Sequence, residues 1–136
     1  METVKTTYLG ELKTEAVHVK SGATIYTEAP EDNHGKGESF SPTDLFAASY
    51  ASCALTIIGI AAQTHGFSID GATVKTTKVM GNNPRRVVEL IVEYTFPHNQ
   101  YSDKARKFIE VAVKECPVAN SLSPDLKITR TIIYKD

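Results

Sequence analysis

The chain has 136 residues and a formal net charge of −1, with lysines and arginines mixed among aspartates and glutamates. A chain of this length can bury a substantial core without metals or disulfides, so a single domain over residues 1–136 is expected. The balanced charge argues against nucleic acid and anionic membranes as partners.

The N-terminal sequence Met-Glu-Thr-Val-Lys lacks the apolar run that signal peptides contain. We therefore expect a cytoplasmic protein. Thiols are kept reduced in that compartment, so the two cysteines are expected to be free.

The first part of the chain is rich in β-branched and aromatic residues, with breaks at Gly10 and at Ser21-Gly22. This pattern predicts two or three short strands within residues 3–18 and 23–28, joined by tight turns. Residues 29–40 are rich in proline, asparagine, glycine and charged residues, and they predict a loop.

A long helix is predicted to begin at Ser41 and to end at Gly66. Ser41 is suited to cap the helix, Pro42 to occupy its first position, and Asp44 to interact with the free N–H groups of the first turn. Residues 45–64 include no charged side chain, and apolar residues occupy every face. The pattern predicts a core helix that is buried on most sides.

The same apolar run is just long enough to cross a membrane. However, hydroxyl and amide side chains interrupt it, no basic cluster flanks it, and the rest of the chain is polar and strand-like. The interrupting residues are Ser49, Ser52, Thr56, Gln63 and Thr64. A core helix is therefore the favoured interpretation.

After this helix the chain returns to strand character. Residues 73–80 and 86–96 flank a Gly-Asn-Asn-Pro turn sequence, which predicts a hairpin. In the second strand apolar residues alternate with polar ones, as expected when one face of a sheet covers a core. The residues predicted on that face are Val88, Leu90, Val92, Tyr94 and Phe96.

A second, amphipathic helix is predicted to begin at its cap Ser102 and to falter at Cys116, because Pro117 disfavours helical geometry in the residue before it. Pro117 can start a short turn, and residues 127–134 predict a closing strand. The apolar positions of the helix are Ala105, Phe108, Ile109, Ala112 and Val113. The predicted fold class is α+β, with the helices on one side of an antiparallel sheet.

Cys53 and Cys116 are the candidates for chemistry. By itself the interior of a helix favours Cys53 as a small buried hydrophobe. It shares a stripe with Phe46, Tyr50, Ile57 and Ile60. Cys116 either fills a junction or, because it faces the unpaired N–H groups of the following turn, is stabilised as a thiolate. The spacing of the two cysteines forms no CxxC motif, so whether they meet depends on the fold.

Other kinds of site find little support in the sequence. Gly35-Lys36-Gly37 lacks the spacing of a phosphate-binding loop, and no Gly-x-Ser-x-Gly elbow is present. The histidines His18, His34, His65 and His98 are scattered without ligand spacing. Neither a cofactor nor a metal is therefore expected.

Two motifs occur in order on the predicted helical elements. The first is Ser41-Pro42-Thr43-Asp44-Leu45-Phe46-Ala47-Ala48, which leads to Ala51-Ser52-Cys53. The second is Cys116-Pro117-Val118-Ala119-Asn120-Ser121-Leu122. With these motifs the chain resembles the OsmC/Ohr family of osmotically inducible and organic-hydroperoxide-resistance proteins, over essentially its whole length.

The resemblance implies an intertwined homodimer in which antiparallel sheets wrap around long central helices. It also implies that Cys53 is a peroxidatic thiolate that reduces an organic hydroperoxide to an alcohol. The resulting sulfenic acid would condense with Cys116 to a disulfide, which an external dithiol, often a lipoyl group in this family, would reduce. Apolar side chains such as Phe46 and Tyr50 would favour fatty or aromatic hydroperoxides.

Two departures bring the chain closer to the OsmC-like branch than to the Ohr branch. Family peroxidases typically have a glutamate after the helix-opening proline, where this chain has Thr43, and an arginine in the N-terminal strands, whereas the first arginine here is Arg85. Residues that could substitute are Asp44, Glu38, Lys20 and Lys36. The alternative function is therefore a non-catalytic protein of this fold that binds a small apolar ligand in the dimer crevice.

Overall fold

The computed structural model describes residues 1–136, which divide into two compact units, Met1–Leu45 and Phe46–Asp136. Each unit has its own three-stranded sheet. The mixed α+β class predicted from the sequence is confirmed.

The first unit contains the antiparallel strands β1 (Val4–Gly10), β2 (Lys13–His18) and β3 (Thr24–Glu28). The predicted breaks lie between them: Glu11 and Leu12 turn the chain with φ of 54° and 63°, and His18 N donates to Ala23 O at 2.8 Å across the second turn. A short 3₁₀ turn at Glu31–Asn33 follows within the loop.

The helix α1 (Pro42–His65) begins as the sequence predicts. Ser41 Oγ accepts from Asp44 N at 3.0 Å, and the Asp44 carboxylate accepts from Ser41 N at 2.9 Å, which together form a capping box. At the other end Gly66 adopts φ of 76°, a left-handed conformation that glycine adopts without strain.

The second unit contains a mixed sheet with the order β4 (Thr73–Gly81), β5 (Arg86–Phe96) and β6 (Lys127–Tyr134). The predicted β4–β5 hairpin is confirmed, whereas the prediction of a wholly antiparallel sheet was wrong, because β6 pairs with β5 in parallel. A parallel return requires a long crossover, which residues 97–126 supply with two helices.

Those helices are α2 (Asp103–Ala112) and the short α3 (Pro117–Asn120). Ser102 caps α2 as predicted, with its hydroxyl accepting from Ala105 N at 3.0 Å. The helix ends at Ala112, before the predicted position, because its last turn tightens into bonds such as Glu115 N to Ala112 O at 3.1 Å. Pro117 then starts α3 as predicted.

The core lies in the second unit, between one stripe of α1, the inner face of the mixed sheet and α2. A bulge in β5 changes one predicted position: Val79 and Met80 pair with Glu89 and Val87, so Val87 packs on the core instead of Val88. The other predicted residues of that face, Leu90, Val92, Tyr94 and Phe96, are buried.

The helix α1 is less buried than predicted. Within the single chain, α1 buries only one stripe of side chains. Ile60, which the sequence analysis placed on the same stripe as Cys53, is 55% exposed. The buried residues are Ala47, Tyr50, Ala54, Ile58 and Ala62. By length and by its mean hydropathy of 1.8 the helix could cross a membrane, a test that core helices of soluble proteins also pass.

Replacement of Ser41 tests whether its cap stabilises the start of α1. We expect Ser41→Ala to lower the free energy of unfolding by about 1 kcal/mol, because Asp44 N loses its acceptor. Urea denaturation measures the change, with the exposed Ser39→Ala as the matched control. An equal change in both variants would contradict the capping role.

Candidate thiol site

The structure brings the two cysteines together. Cys53 is half-buried in the middle of α1, and Cys116 is fully buried at the residue that precedes α3. Cys53 packs against the core cluster that contains Cys116, and an interaction with Cys53 is one cause of the raised pKa of Cys116. Residues from distant parts of the sequence therefore form one site, which the sequence could not establish.

Cys116 is held as a protonated thiol. Burial is the main cause that raises its pKa, followed by the hydrogen bond with Cys53, whereas the N–H groups of Ala119 and Val118 lower it. The sequence suggested that these N–H groups would favour a thiolate, and they act in that direction, but burial outweighs them. The Cys116 Sγ also donates weakly to the backbone oxygen of Tyr50 at 4.0 Å.

Cys53 has a different environment. It lies one turn after Tyr50 on α1, and it packs against the core beside the partly buried Phe46 and Ile57. As a half-buried residue, Cys53 is the more accessible of the two thiols, whereas the Cys116 side chain is closed off from solvent.

A buried hydrogen-bond network fixes Tyr50. Its hydroxyl lies 2.9 Å from the Tyr94 hydroxyl of β5, and Arg130 Nε of β6 donates to it at 3.1 Å. Both tyrosines are fully buried. Burial, and then the hydrogen bond with Tyr50, raises the pKa of Tyr94, so the Tyr94 hydroxyl stays uncharged at neutral pH.

Arg130 is a residue of the site that sequence reasoning missed. The parallel register pairs it with Val92, and this places it on the face of the sheet that carries the buried Tyr94. A signal existed in the strand itself, because Arg130 occupies an inward position between Ile128 and Ile132.

The residues that the sequence suggested as substitutes belong to a different unit from the two cysteines. Lys20, Lys36, Glu38 and Asp44 belong to the first unit, and Arg85 is exposed at the turn of the β4–β5 hairpin. No group of three or more His, Cys, Asp or Glu side chains could hold a metal ion. The site therefore consists of two thiols and a network of two phenols and one guanidinium.

The comparisons with known proteins agree on one family. The sequence model of a family described as "OsmC-like protein" matches residues 35–130. A solved structure from Psychrobacter arcticus 273-4, named for a proposed role in the osmotic stress and detoxification response, is 48% identical, with a TM-score of 0.88 over 98% of this chain and 96% of that chain. No match was found among the curated proteins.

More distant structures share the fold. An OsmC-like protein from Mycoplasma pneumoniae is 20% identical, with a TM-score of 0.78 over 99% of both chains. An organic hydroperoxide resistance protein from Elizabethkingia anophelis is 18% identical, with a TM-score of 0.71 over 100% of this chain and 97% of that chain.

The Tyr50 network can be tested by removing one hydroxyl. We expect Tyr50→Phe to lower the free energy of unfolding by about 1–3 kcal/mol, because Arg130 Nε and the Tyr94 hydroxyl each lose a buried partner. Urea denaturation provides the measurement. The control is Tyr26→Phe, since Tyr26 is 57% exposed, and a change as large in the control would contradict the assignment.

The buried thiol predicts a pH dependence. Because the pKa of Cys116 is higher in the folded chain than its ordinary value of 9.0, alkylation at Cys116 should reach half its maximal rate at a higher pH in folded than in urea-unfolded protein. Its contribution to the free energy of unfolding is complete below about pH 9 and is lost as pH rises through the folded pKa. Mass analysis of peptides labelled over a pH series measures the alkylation, and coincident profiles would contradict the prediction.

Proposed function

The chain belongs to the OsmC-like family, and from this premise we propose that it is a cytoplasmic thiol peroxidase that reduces organic hydroperoxides in defence against oxidative stress. Membership of the family indicates a redox or stress role. The packing of Cys53 against the core cluster that contains Cys116 is the observation that carries the more specific proposal. Two neighbouring thiols can together supply the two electrons that reduce one hydroperoxide.

In the first step the Cys53 thiolate attacks the terminal oxygen of a hydroperoxide. The O–O bond breaks as an S–O bond forms, the departing alkoxide takes up a proton, and the products are an alcohol and a Cys53 sulfenic acid. The half-buried position of Cys53 beside Phe46 and Ile57 supports this assignment, because an apolar peroxide can approach it. These apolar neighbours favour fatty or aromatic hydroperoxides.

In the second step the Cys116 sulfur attacks the sulfenic acid and displaces water, which leaves a Cys53–Cys116 disulfide. The raised pKa of Cys116 suits this role. A buried, protonated thiol is a poor competitor for the peroxide, so Cys116 remains available to react with the sulfenic acid that forms on Cys53. An external dithiol, such as a lipoyl group, then returns both cysteines to thiols.

We further propose that the active protein is a homodimer. The uncovered face of α1, with Ile60 55% exposed, supports this proposal, because an apolar helix face of this kind is unusual on a monomer in water. An Ile60→Glu variant should shift the sedimentation of the protein from dimer to monomer. Val111→Glu, at an exposed position of α2, is the control, and an unchanged dimer in the first variant would contradict the proposed interface.

A single-turnover assay tests the chemistry. Reduced protein is mixed with one equivalent of an organic hydroperoxide or of hydrogen peroxide, and free thiols are counted while mass analysis follows the products. We expect both thiols to be lost, and faster with the organic peroxide. Cys53→Ser should slow peroxide consumption by about a thousandfold or more, as removal of a nucleophile does.

The Cys116→Ser variant separates the two steps. It should consume peroxide but accumulate a Cys53 sulfenic acid, which a cyclic dione reagent can trap. If both thiols of the unaltered protein remain unreacted after addition of the peroxide, the peroxidase proposal is wrong. That result would favour the alternative of a non-catalytic protein that binds an apolar ligand, which direct binding measurements could then pursue.

A further inference from the structure

A second candidate site lies in the first unit, in residues that the peroxidase proposal does not use. A cavity of about 300 Å³ opens beside the end of β3. Leu9 and Tyr26 provide its apolar walls, and Lys13, Glu28 and Glu38 provide its charged groups. This volume lies at the lower end of the range of small-molecule sites, and the mixture of apolar walls with a few polar groups is typical of them.

Glu28 is the distinctive feature of this cavity. Its residue is only 8% exposed, and its Oε1 is shielded from solvent without any hydrogen-bond partner. A buried carboxylate oxygen without a partner is costly, and native structures rarely retain such an atom unless a further group meets it. Lys13 is the register partner of Glu28 across β2 and β3, yet it leaves this oxygen unmet.

Local backbone contacts build the cavity. Glu28 N donates to Phe40 O at 3.0 Å, and Ala29 N donates to Leu12 O at 3.1 Å. The first bond folds the loop back along β3, which places Glu38 and Ser39 on the cavity wall. The second ties the β1–β2 turn to the same strand end. Backbone hydrogen bonds therefore hold the segments that form the cavity wall.

We propose that this cavity binds a small organic ammonium compound with an aromatic or branched aliphatic body. Two carboxylates and one lysine leave an excess of one negative charge at the site, which complements a monovalent cation. The positive charge of the ammonium group lies beside the Glu28 and Glu38 carboxyl groups, and the apolar body packs on Tyr26 and Leu9. The binding function is separate from the thiol chemistry.

The test uses the full-length, reduced, ¹⁵N-labelled protein. Amide spectra are recorded during titration with 2-phenylethylammonium, with neutral 2-phenylethanol, and with anionic 3-phenylpropionate. We expect the amine to shift the signals of residues 9, 26–28 and 38–39 in a saturable way. The alcohol, which has the same body, should bind at least about tenfold more weakly, and the anion should not bind there.

Glu28→Gln should weaken the binding of the amine by about tenfold or more and leave the binding of the alcohol unchanged, because it removes the charge and keeps the shape. Glu31→Gln, an exposed position away from the cavity wall, is the matched control and should bind like the unaltered protein. Equal affinities for amine and alcohol, or unchanged amine affinity in Glu28→Gln, would overturn the proposal. The absence of saturable shifts at residues 9, 26–28 and 38–39 would also overturn the proposal. This outcome includes the case in which a second copy of the chain fills the cavity. If Glu28→Gln does not fold, the comparison of amine with alcohol on the unaltered protein decides the question.

Discussion

The buried contact between Tyr50 and Tyr94 is the interaction on which the thiol site depends. It joins α1 to β5 through two hydroxyl groups, and Arg130 adds β6 to the same point. A helix packed on a sheet through aliphatic side chains alone can slide with little cost, whereas a buried polar network permits a single register. Because Cys53 lies one turn beyond Tyr50, fixing the tyrosine also fixes the height of the thiol above the sheet.

The second consequence of this contact concerns Cys116. The Cys116 thiol donates weakly to the backbone oxygen of Tyr50. The residue that joins α1 to the sheet therefore also contacts the residue that precedes α3. The two cysteines thereby differ in exposure although both belong to the packing around one core cluster. In the proposed mechanism this difference in exposure would let Cys53 meet the peroxide and keep Cys116 for the sulfenic acid that results.

Local sequence features predicted much of the fold because their causes are local. The capping box of Ser41 and Asp44, the cap at Ser102 and the proline that begins α3 each satisfy neighbouring backbone groups, and all three occur where the sequence places them. The hairpin of β4 and β5 follows from a turn sequence between alternating strands. Such features do not require knowledge of the rest of the chain.

The features that the sequence did not predict depend on contacts between distant segments. The parallel placement of β6, the bulge at Val88 and the half-exposed state of α1 are settled by packing across the second unit. The meeting of Cys53 with Cys116 belongs to the same class. Arg130 was missed for this reason, since an arginine near the C-terminus becomes part of the site only when β6 lies beside β5.

The parallel strand β6 also has a consequence for the order of assembly. The pairing of β1 with β2 or of β4 with β5 can form as soon as each hairpin leaves the ribosome, since its partners are neighbours in sequence. Arg130 is made only after the whole crossover, and it must return across that crossover before it can reach Tyr50. Until that moment the nascent chain holds two cysteines without their finished scaffold. The polar network beneath the two thiols is therefore completed only after β6 has been made and has paired with β5.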